Sequence, residues 1–349
     1  MRPLVTALVN SYTRVDFIRQ AVLSTIAQVA DSDFEIVVIN ALDEMPYRHE
    51  LELAAQAKGV SLRLAKVEPG KVGPGLLRGL RESEGEVISI IDDDDIWEQG
   101  KLAAVSSAFR SYPKLCYLHN AQTLVNVDNV PLSPLNLHRL IRHPSSLIPP
   151  HVEVLANANN VSDLKKLVGM EAMFNNSSIS VRREVLESVE SLLPSLSGGE
   201  DSFLFFAALG HGGQLMATSN RLTRLRVHSA GTTSAGRSID SFHGRLLAYT
   251  EFVERHLHRL DLCEEALGAG ASRAVRLLLE RDRAEWMLMR EMTGTGLSPG
   301  ELAGATRSLF ASARFGVTTR NLMAIALGWT AAASPALARS MFLSWRLAW

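Results

Sequence analysis

The sequence predicts an α/β fold in which a mixed, mostly parallel sheet is flanked by helices and followed by a C-terminal helical region. Strand-length apolar runs alternate with helical patterns through residue 91, and this alternation is typical of right-handed crossovers and a parallel sheet. The run at 87–91 is continuously apolar, as expected for a strand buried on both faces. From about residue 238 onward, long helical patterns replace the alternation.

The individual elements follow from the apolar periodicity and from the turn residues between the runs. Strands are predicted at 4–9, 34–39, 61–67, 87–91, 115–119, 121–125, 176–181 and 222–227. Helices are predicted at 17–27, 51–57, 76–82, 183–191, 203–209, 246–262 and 274–292. The strands at 115–119 and 121–125 are expected to run antiparallel, and the proline-rich stretch 131–160 is expected to form a long surface loop or an insertion.

Composition excludes several classes of protein. Apolar residues make up 46% of the 349 residues and charged residues 21%, so a large core is expected and global disorder is not. The 36 basic and 37 acidic residues nearly cancel, which argues against nucleic-acid binding. The two cysteines, Cys116 and Cys263, have no metal-site spacing and are interpreted as core thiols in a reducing compartment. Because a strand begins almost at the N-terminus, no cleavable signal is expected, and the cytoplasm is the predicted location.

Four consecutive aspartates, Asp92 to Asp95, directly follow the apolar strand at 87–91. Carboxylates this close repel one another unless a positive charge lies among them. Open α/β sheets bind ligands at the carboxyl ends of their strands, and a hard divalent cation carrying a phosphate ester suits such a cluster. The alternative is a solvated acidic turn.

Several segments, in the same order along the chain, resemble the family 2 glycosyltransferases. They are the opening strand and turn at 5–14, the second strand at 33–39, the pairs Gly79-Leu80 and Gly85-Glu86, the aspartates with Ile96-Trp97, the pair Lys101-Leu102, and Gly199-Glu200-Asp201. The resemblance covers roughly residues 1–230. It implies the GT-A fold, a Rossmann-like sheet with an acidic metal motif.

The resemblance also implies an organisation and an activity. A GT-A domain would span 1–237, with a nucleotide-binding half to about residue 110 and an acceptor half at 111–237, and a helical region would span 238–349. The implied activity is metal-dependent, inverting transfer of a sugar from a nucleotide-diphosphate donor to a hydroxyl acceptor: a glycan, a glycolipid or a small molecule. Surface polysaccharide or glycolipid synthesis is the expected setting. The alternative is a degenerate GT-A domain that binds a carbohydrate or a partner without turnover.

By the same resemblance, Asp94, Asp92 and His228 are the expected metal-site residues for a Mg²⁺ or Mn²⁺ ion. Asp201 is the expected general base, and Glu200 is expected to orient the acceptor or Asp201. A hydroxyl needs such a base because its own pKa lies far above 7. The alternative for Asp201 is a carboxylate favoured by a helix N-terminus, and for His228 a satisfied polar group.

The expected nucleotide-sugar contacts lie at the ends of the predicted strands and in the glycine-rich loop. They are Asn10, Tyr12, Arg14, Asn40, Asp43, Lys71, Arg78, Asp92 and Asp93, and Arg226 is a further candidate for the phosphates. Two departures from the family pattern concern the donor. Asn40-Ala41 replaces an acidic pair that reads the base, and Gly75-Leu76-Leu77 replaces a segment with a diphosphate-facing arginine.

The last 48 residues are basic and partly apolar. From Leu302 onward the chain has five arginines and no acidic residue, and residues 322–338 carry no charge. Seventeen residues fall short of the ~20 that typically span a bilayer. The pattern therefore predicts either peripheral contact with a membrane surface or helices that pack on the catalytic domain.

Overall fold

The computed structural model describes residues 4–11, 14–28, 34–42, 44–69, 71–132, 149, 151–228, 242–291, 297–315, 319–334, 336–338 and 341. At 242–248, 314, 319 and 320 only the backbone is described.

Within these residues, nine strands form one sheet in the order β3-β2-β1-β4-β8-β6-β9-β5, with β7 paired to β9. The strands are β1 (Val5–Ser11), β2 (Phe34–Asn40), β3 (Ser61–Lys66), β4 (Val87–Asp92), β5 (Ile96–Trp97), β6 (Leu115–Val125), β7 (Glu153–Asn157), β8 (Ile179–Arg182) and β9 (Gln214–Arg226). Strands β1 to β4 are parallel, whereas β8 runs antiparallel to both β4 and β6. The mixed, mostly parallel α/β architecture is therefore confirmed.

Helices cover both faces of the sheet and make up the C-terminal region. They are α1 (Val15–Ile26), α2 (Arg48–Lys58), α3 (Val72–Glu82), α4 (Lys101–Ser111), α5 (Val161–Gly169), α6 (Arg183–Ser188), α7 (Glu200–His211), α8 (Phe242–Leu267), α9 (Arg273–Glu291), α10 (Pro299–Ala311) and α11 (Thr319–Ala333).

The parallel register brings polar strand ends to one edge of the sheet. Asn10 is the partner of Asp92 across the β1–β4 ladder, and Ser11 is the partner of Asn40 across the β1–β2 ladder. Because parallel strands end at the same edge, the ends of β1, β2 and β4 lie together at one edge of the sheet, and open α/β sheets bind ligands at the carboxyl ends of their strands.

The prediction of two separate strands at 115–119 and 121–125 is wrong, because residues 115–125 form one long strand. Asn120 interrupts the apolar run and suggested a turn, but its side chain is fully buried and donates to Thr223 Oγ1 at 3.1 Å. The β6–β9 register shifts at this point, which is the geometry of a β-bulge. β6 is also parallel, not antiparallel, to its neighbour β9.

The last strand and the stretch predicted as a loop also differ from the sequence prediction. The last strand, β9, begins at Gln214 and not at residue 222. Its polar segment is covered by the chain that precedes β7, where Ser219 Oγ donates to the Pro149 carbonyl at 2.6 Å. Within the stretch predicted as a loop, residues 153–157 form β7; most of 133–150 lies outside the described residues.

The C-terminal helices share a hydrophobic core with the sheet. One cluster of buried side chains runs from Leu8 in β1 through α7 to Ala338, and it contains Cys263, which is a free thiol like Cys116. Packing against the sheet region, one of the two arrangements expected for these helices, is therefore observed. The predicted boundary at 238 lies outside the described residues. In the described part of the chain, no helix combines the length and apolar character needed to cross a bilayer.

Candidate active site

The four aspartates form a tight turn between β4 and β5. Asp92 ends β4, and the Asp95 N–H donates to the Asp92 carbonyl at 3.2 Å. Carboxylate oxygens of Asp92, Asp94 and Asp95 lie within 4.8 Å of one another. Asp93 is fully buried and faces Arg14. Three of the four carboxylates therefore converge. The fourth, that of Asp93, holds the turn through its contact with Arg14.

Arg14 offsets part of the negative charge. Its Nη1 lies 2.8 Å from Asp93 Oδ1 and 3.0 Å from Asp94 Oδ2. Burial disfavours the charged guanidinium, but Asp94 and Asp93 outweigh that effect and raise the pKa of Arg14 above its ordinary value. The structure thus brings this predicted residue directly onto the acidic turn.

His228 and Arg226 hold the turn from β9 and the residues after it. His228 Nε2 lies 2.9 Å from Asp94 Oδ2, and its ring packs 5.0 Å from the ring of Phe17. Arg226 donates its backbone N–H to Asp95 Oδ1 at 2.9 Å and its Nε–H to the Asp94 carbonyl at 2.8 Å. Since its Nη2 also donates to Gln20, Arg226 braces the turn.

The acidic turn carries more negative charge than its surroundings neutralise. Burial, with Glu200 and Asp94 nearby, raises the pKa of Asp92 well above its ordinary value. Burial and Asp94 raise the pKa of Asp95 to about 7. A cation among these oxygens would relieve both shifts.

The donor set fits a hard divalent ion. The cluster offers only oxygen ligands, which Mg²⁺ and similar cations prefer, and oxygens on opposite sides of Mg²⁺ lie about 4 Å apart, close to the spread observed here. Asn176 Nδ2 donates to Asp92 Oδ1 at 2.9 Å, and its buried Oδ1 has no hydrogen-bond partner. The buried Nδ2 of Asn10, beside Asp92, also has none. Buried polar atoms without partners are rare in a finished core, so these atoms favour a ligand at this place.

Glu200 and Asp201 open α7, as the sequence predicts. Gly199 precedes them with φ +70°, a left-handed conformation that glycine adopts without strain. Asp201 accepts the Ser202 N–H at 2.8 Å and the Asn175 N–H at 3.2 Å. Burial raises the pKa of Asp201, an effect that Arg259 opposes, whereas burial and Asp201 raise the pKa of Glu200 to about 7.

Asn175 joins the two acidic centres. Its backbone N–H donates to Asp201 and its Nδ2 to Asp95 Oδ2 at 3.2 Å. Its φ of +69° is left-handed, which asparagine tolerates better than most residues. Ser177 Oγ accepts the Asp92 N–H at 2.9 Å, so the segment 175–178 connects the turn after β4 to the start of α7. The polar run Asn-Asn-Ser-Ser before a strand is the sequence signal for this bridge.

Of the remaining predicted nucleotide contacts, the structure describes Asn40, Lys71 and Arg78. Asn40 uses its side chain in a local turn, accepting the Leu42 N–H at 3.0 Å and donating to the Leu42 carbonyl at 3.1 Å. Lys71 is exposed at the N-terminus of α3. Arg78 lies farther along α3 and pairs with Glu82 at 2.6 Å, so the structure does not bring it to the aspartates. Tyr12 and Asp43 lie outside the described residues.

A buried lysine, Lys101, contacts the segment 175–178. Lys101 is fully buried and donates from Nζ to Asn120 Oδ1 and to the Ser178 carbonyl. The same Nζ lies 5.5 Å from the centre of the Trp97 ring, and Trp97 Nε1 donates to the Ser177 carbonyl at 2.8 Å. Lys101 and Trp97 therefore fix the segment 175–178 against the turn.

Lys101→Met is expected to remove a pH-dependent part of the stability. Burial lowers the pKa of Lys101 to about 7, against about 10.4 in the unfolded chain. Between these values the unfolded state binds more protons, so stability rises with pH. From pH 7 to pH 9 the wild type should gain about 2 kcal/mol relative to the variant, measured by urea unfolding. The exposed-lysine control Lys114→Met should keep the wild-type slope; equal slopes for all three proteins would contradict the expectation.

Comparison with known proteins finds a matching family and structures of similar fold. Residues 6–140 match the model of the glycosyl transferase family 2, a region that includes Arg14 and the acidic turn. An uncharacterized glycosyltransferase of Rickettsia felis is 32% identical over 100 residues, which is 29% of this chain and 16% of that protein. The chain thus aligns with only a small part of its curated relative.

Two solved structures share the fold over nearly the whole chain. Residues 1–349 of S. aureus TarS in complex with UDP-GlcNAc superpose with a TM-score of 0.53 at 14% identity, covering 99% of this chain and 92% of that one; this chain spans 54% of a longer TarS structure. The mannosyltransferase PcManGT from Pyrobaculum calidifontis, in complex with GDP-Man and Mn²⁺, gives 0.53 at 16% identity, covering 99% and 88%. The expected family resemblance is confirmed: residues 6–140 match glycosyltransferase family 2, and the sheet has the GT-A fold.

Proposed function

We propose that this chain is a metal-dependent, inverting glycosyltransferase that moves a sugar from a nucleotide-diphosphate donor to a hydroxyl acceptor. The observation that carries the proposal is the Asn175 bridge, which binds Asp95 through its side chain and Asp201 through its backbone. Asn175 thereby joins the proposed cation cluster to the proposed base. The family match at 6–140 supports the reaction class.

On the donor side, Asp92 and Asp94 are the proposed holders of a Mg²⁺ or Mn²⁺ ion. When bound, the ion would supply Lewis-acid stabilisation of the departing diphosphate. His228 fixes the carboxylate of Asp94 at 2.9 Å. Both oxygens of Asp95 already accept hydrogen bonds, from Arg226 and Asn175, so we assign Asp95 a bracing role.

On the acceptor side, Asp201 is the proposed base. Each of its oxygens accepts one backbone N–H, and each keeps a lone pair for the acceptor hydroxyl. Asp201 would take the hydroxyl proton as the acceptor oxygen attacks the anomeric carbon, and the bonding pair would leave with the nucleoside diphosphate. One displacement inverts the anomeric configuration. Glu200, beside Asp201, is proposed to orient the acceptor.

Turnover of a donor panel tests this proposal. UDP-GlcNAc and GDP-Man, found in the two solved structures, would be incubated with UDP-glucose and dTDP-glucose as further donors, with oligosaccharide and glycolipid acceptors, and with Mn²⁺ or EDTA. We expect metal-dependent release of nucleoside diphosphate and, by NMR, a product of inverted anomeric configuration. Carbohydrate binding without any turnover would instead support the degenerate binding module.

We also propose peripheral contact of the C-terminal helices with an anionic membrane surface, at its cytoplasmic face. Leu322 and Trp329 of α11 are 53% and 43% exposed, and Phe310 of α10 is 60% exposed. Trp329 Nε1 donates to Thr306 Oγ1 at 3.0 Å, one turn before Phe310, so these side chains lie on one surface. The sequence from Leu302 onward has five arginines and no acid, which complements anionic lipid. A glycolipid acceptor would suit this placement.

Replacing Phe310 and Leu322 together with serine is expected to weaken binding to phosphatidylglycerol vesicles by about tenfold or more, since apolar side chains drive interfacial insertion. Vesicle sedimentation measures the effect. Leu53→Ser serves as the matched control, because Leu53 is equally exposed on α2. Absence of vesicle binding by the wild type would overturn the membrane proposal, and concentration-dependent dimerisation lost in the double variant would assign the surface to a second copy of the chain.

A further inference from the structure

Arg259 connects the C-terminal helices to the candidate base. It lies on α8, and only 6% of its surface is exposed. A Cβ atom built on Gly199 would lie 2.6 Å from both Cδ and Nη1 of Arg259. The arginine side chain therefore passes directly against the turn that carries Glu200 and Asp201, and the lack of a side chain at Gly199 makes room for it.

A buried cation beside the N-terminus of a helix is electrostatically unfavourable unless negative groups lie near it. The N-terminus of a helix carries partial positive charge and favours anions, and a buried guanidinium is costly unless it is paired. The Nε of Arg259 has no hydrogen-bond partner. Hydrogen bonds therefore do not fully offset the cost of burying the guanidinium. The acids at the start of α7 are negative groups that interact electrostatically with this charge.

The electrostatic effect has a defined direction. Burial raises the pKa of Asp201, and Arg259 is the largest influence that opposes this rise. Arg259 also opposes the rise in the pKa of Glu200. Without the arginine, Asp201 would be protonated more readily, and a protonated carboxyl cannot accept the proton of an acceptor hydroxyl.

We propose that Arg259 is a positioning residue of the acceptor site, which fixes the Gly199 turn and stabilises the negative charge of Asp201. The inference rests on the proposed function and deepens it, because it makes α8 a part of the acceptor half. It adds no step to the reaction: the acceptor proton still goes to Asp201, the new bond forms at the anomeric carbon, and the leaving pair departs with the nucleoside diphosphate.

The other titratable groups around Asp201 do not replace this cation. They are Glu200 on α7, Tyr117 on β6 and Cys263 on α8. Burial raises the pKa of Tyr117 well above its ordinary value and that of Cys263 to about 12, so both stay neutral near pH 7. Glu200 is acidic and has the opposite effect. Arg259 is therefore the positively charged group beside Glu200, Tyr117 and Cys263 in the surroundings of Asp201.

Three variants test the role kinetically: Arg259→Gln, Arg259→Lys and the control Arg255→Gln, whose arginine is exposed one turn earlier on α8. For Arg259→Gln we expect kcat to fall about tenfold at pH 6 and much less at pH 9, with the donor KM within about twofold. The acid limb of the kcat profile should move to higher pH. Lysine should restore part of the loss, and Arg255→Gln should match the wild type. A pH-independent loss that lysine does not rescue would overturn the proposal.

A double-mutant cycle separates this inference from the proposed function, because it needs no activity. Melting temperatures are measured for Arg259→Gln and Asp201→Asn, alone and combined. If the charges interact, the change caused by Arg259→Gln should be less destabilising by about 2 °C or more in the Asp201→Asn background. Additive changes would overturn the inference even if the chain transfers sugar; coupling without any turnover would retain the contact and reject the transferase.

Discussion

Asp201→Asn is expected to lower the transfer rate by about 10³- to 10⁴-fold while donor affinity stays within about twofold. The substitution keeps the shape of the side chain but removes the proton acceptor, and a positioned base typically contributes up to about 10⁴-fold. One amide oxygen can still accept a backbone N–H, from Ser202 or from Asn175. The other N–H would face the new NH₂ group, so a modest loss of stability is also expected.

Asp163→Asn is the matched control, since Asp163 also lies in the first turn of a helix, α5. It should leave turnover unchanged. The two proteins would be compared by initial rates under saturating donor and by calorimetric titration of the donor. Were Asp201→Asn to retain turnover and lose only stability, Asp201 would be a carboxylate favoured by the helix N-terminus, and the base would have to be sought elsewhere, first at Glu200.

Asp94→Asn is expected to abolish the stimulation of transfer by Mn²⁺ and to reduce turnover by about 10³-fold, because the departing diphosphate loses its charge stabilisation. Asp94 is the aspartate that contacts both Arg14 and His228, so its carboxylate is held in place and reaches the shared cluster. The measurement is the initial rate against Mn²⁺ concentration.

Asp261→Asn, which changes an exposed aspartate paired with Arg283 on the surface, should leave the Mn²⁺ dependence intact. An Asp94→Asn protein with the wild-type response to Mn²⁺ would contradict the proposed role of Asp94 in holding the ion.

Local sequence patterns predicted the strands and helix starts that have a clear apolar run and turn residues beside it. The strands β1 to β4 have clear apolar runs bounded by turn residues, and each was predicted within two residues of its observed limits. The start of α7 was predictable for the same reason, since Gly199 and two acids precede an apolar helix. β6 was not, because Asn120 resembles a turn residue unless its buried contact with Thr223 is known.

The site itself depends on contacts that sequence patterns do not contain. The family resemblance found the aspartates, Arg14, His228 and Asp201, each of which lies in a recognisable segment. It does not contain the bridging role of Asn175, which comes from joining two segments 80 and 26 residues away. Arg259 was missed for the same reason, since nothing near it in the chain indicates that α8 packs against Gly199.

The central claim is that the acidic turn holds a cation against the diphosphate of a donor, and calorimetry tests it most directly. Wild-type protein is titrated with UDP, GDP and dTDP, each with Mn²⁺ and with EDTA. At least one nucleotide is predicted to bind about tenfold or more tightly with Mn²⁺, and this gain should vanish in Asp94→Asn. Identical affinities with and without Mn²⁺ for every nucleotide would contradict the claim.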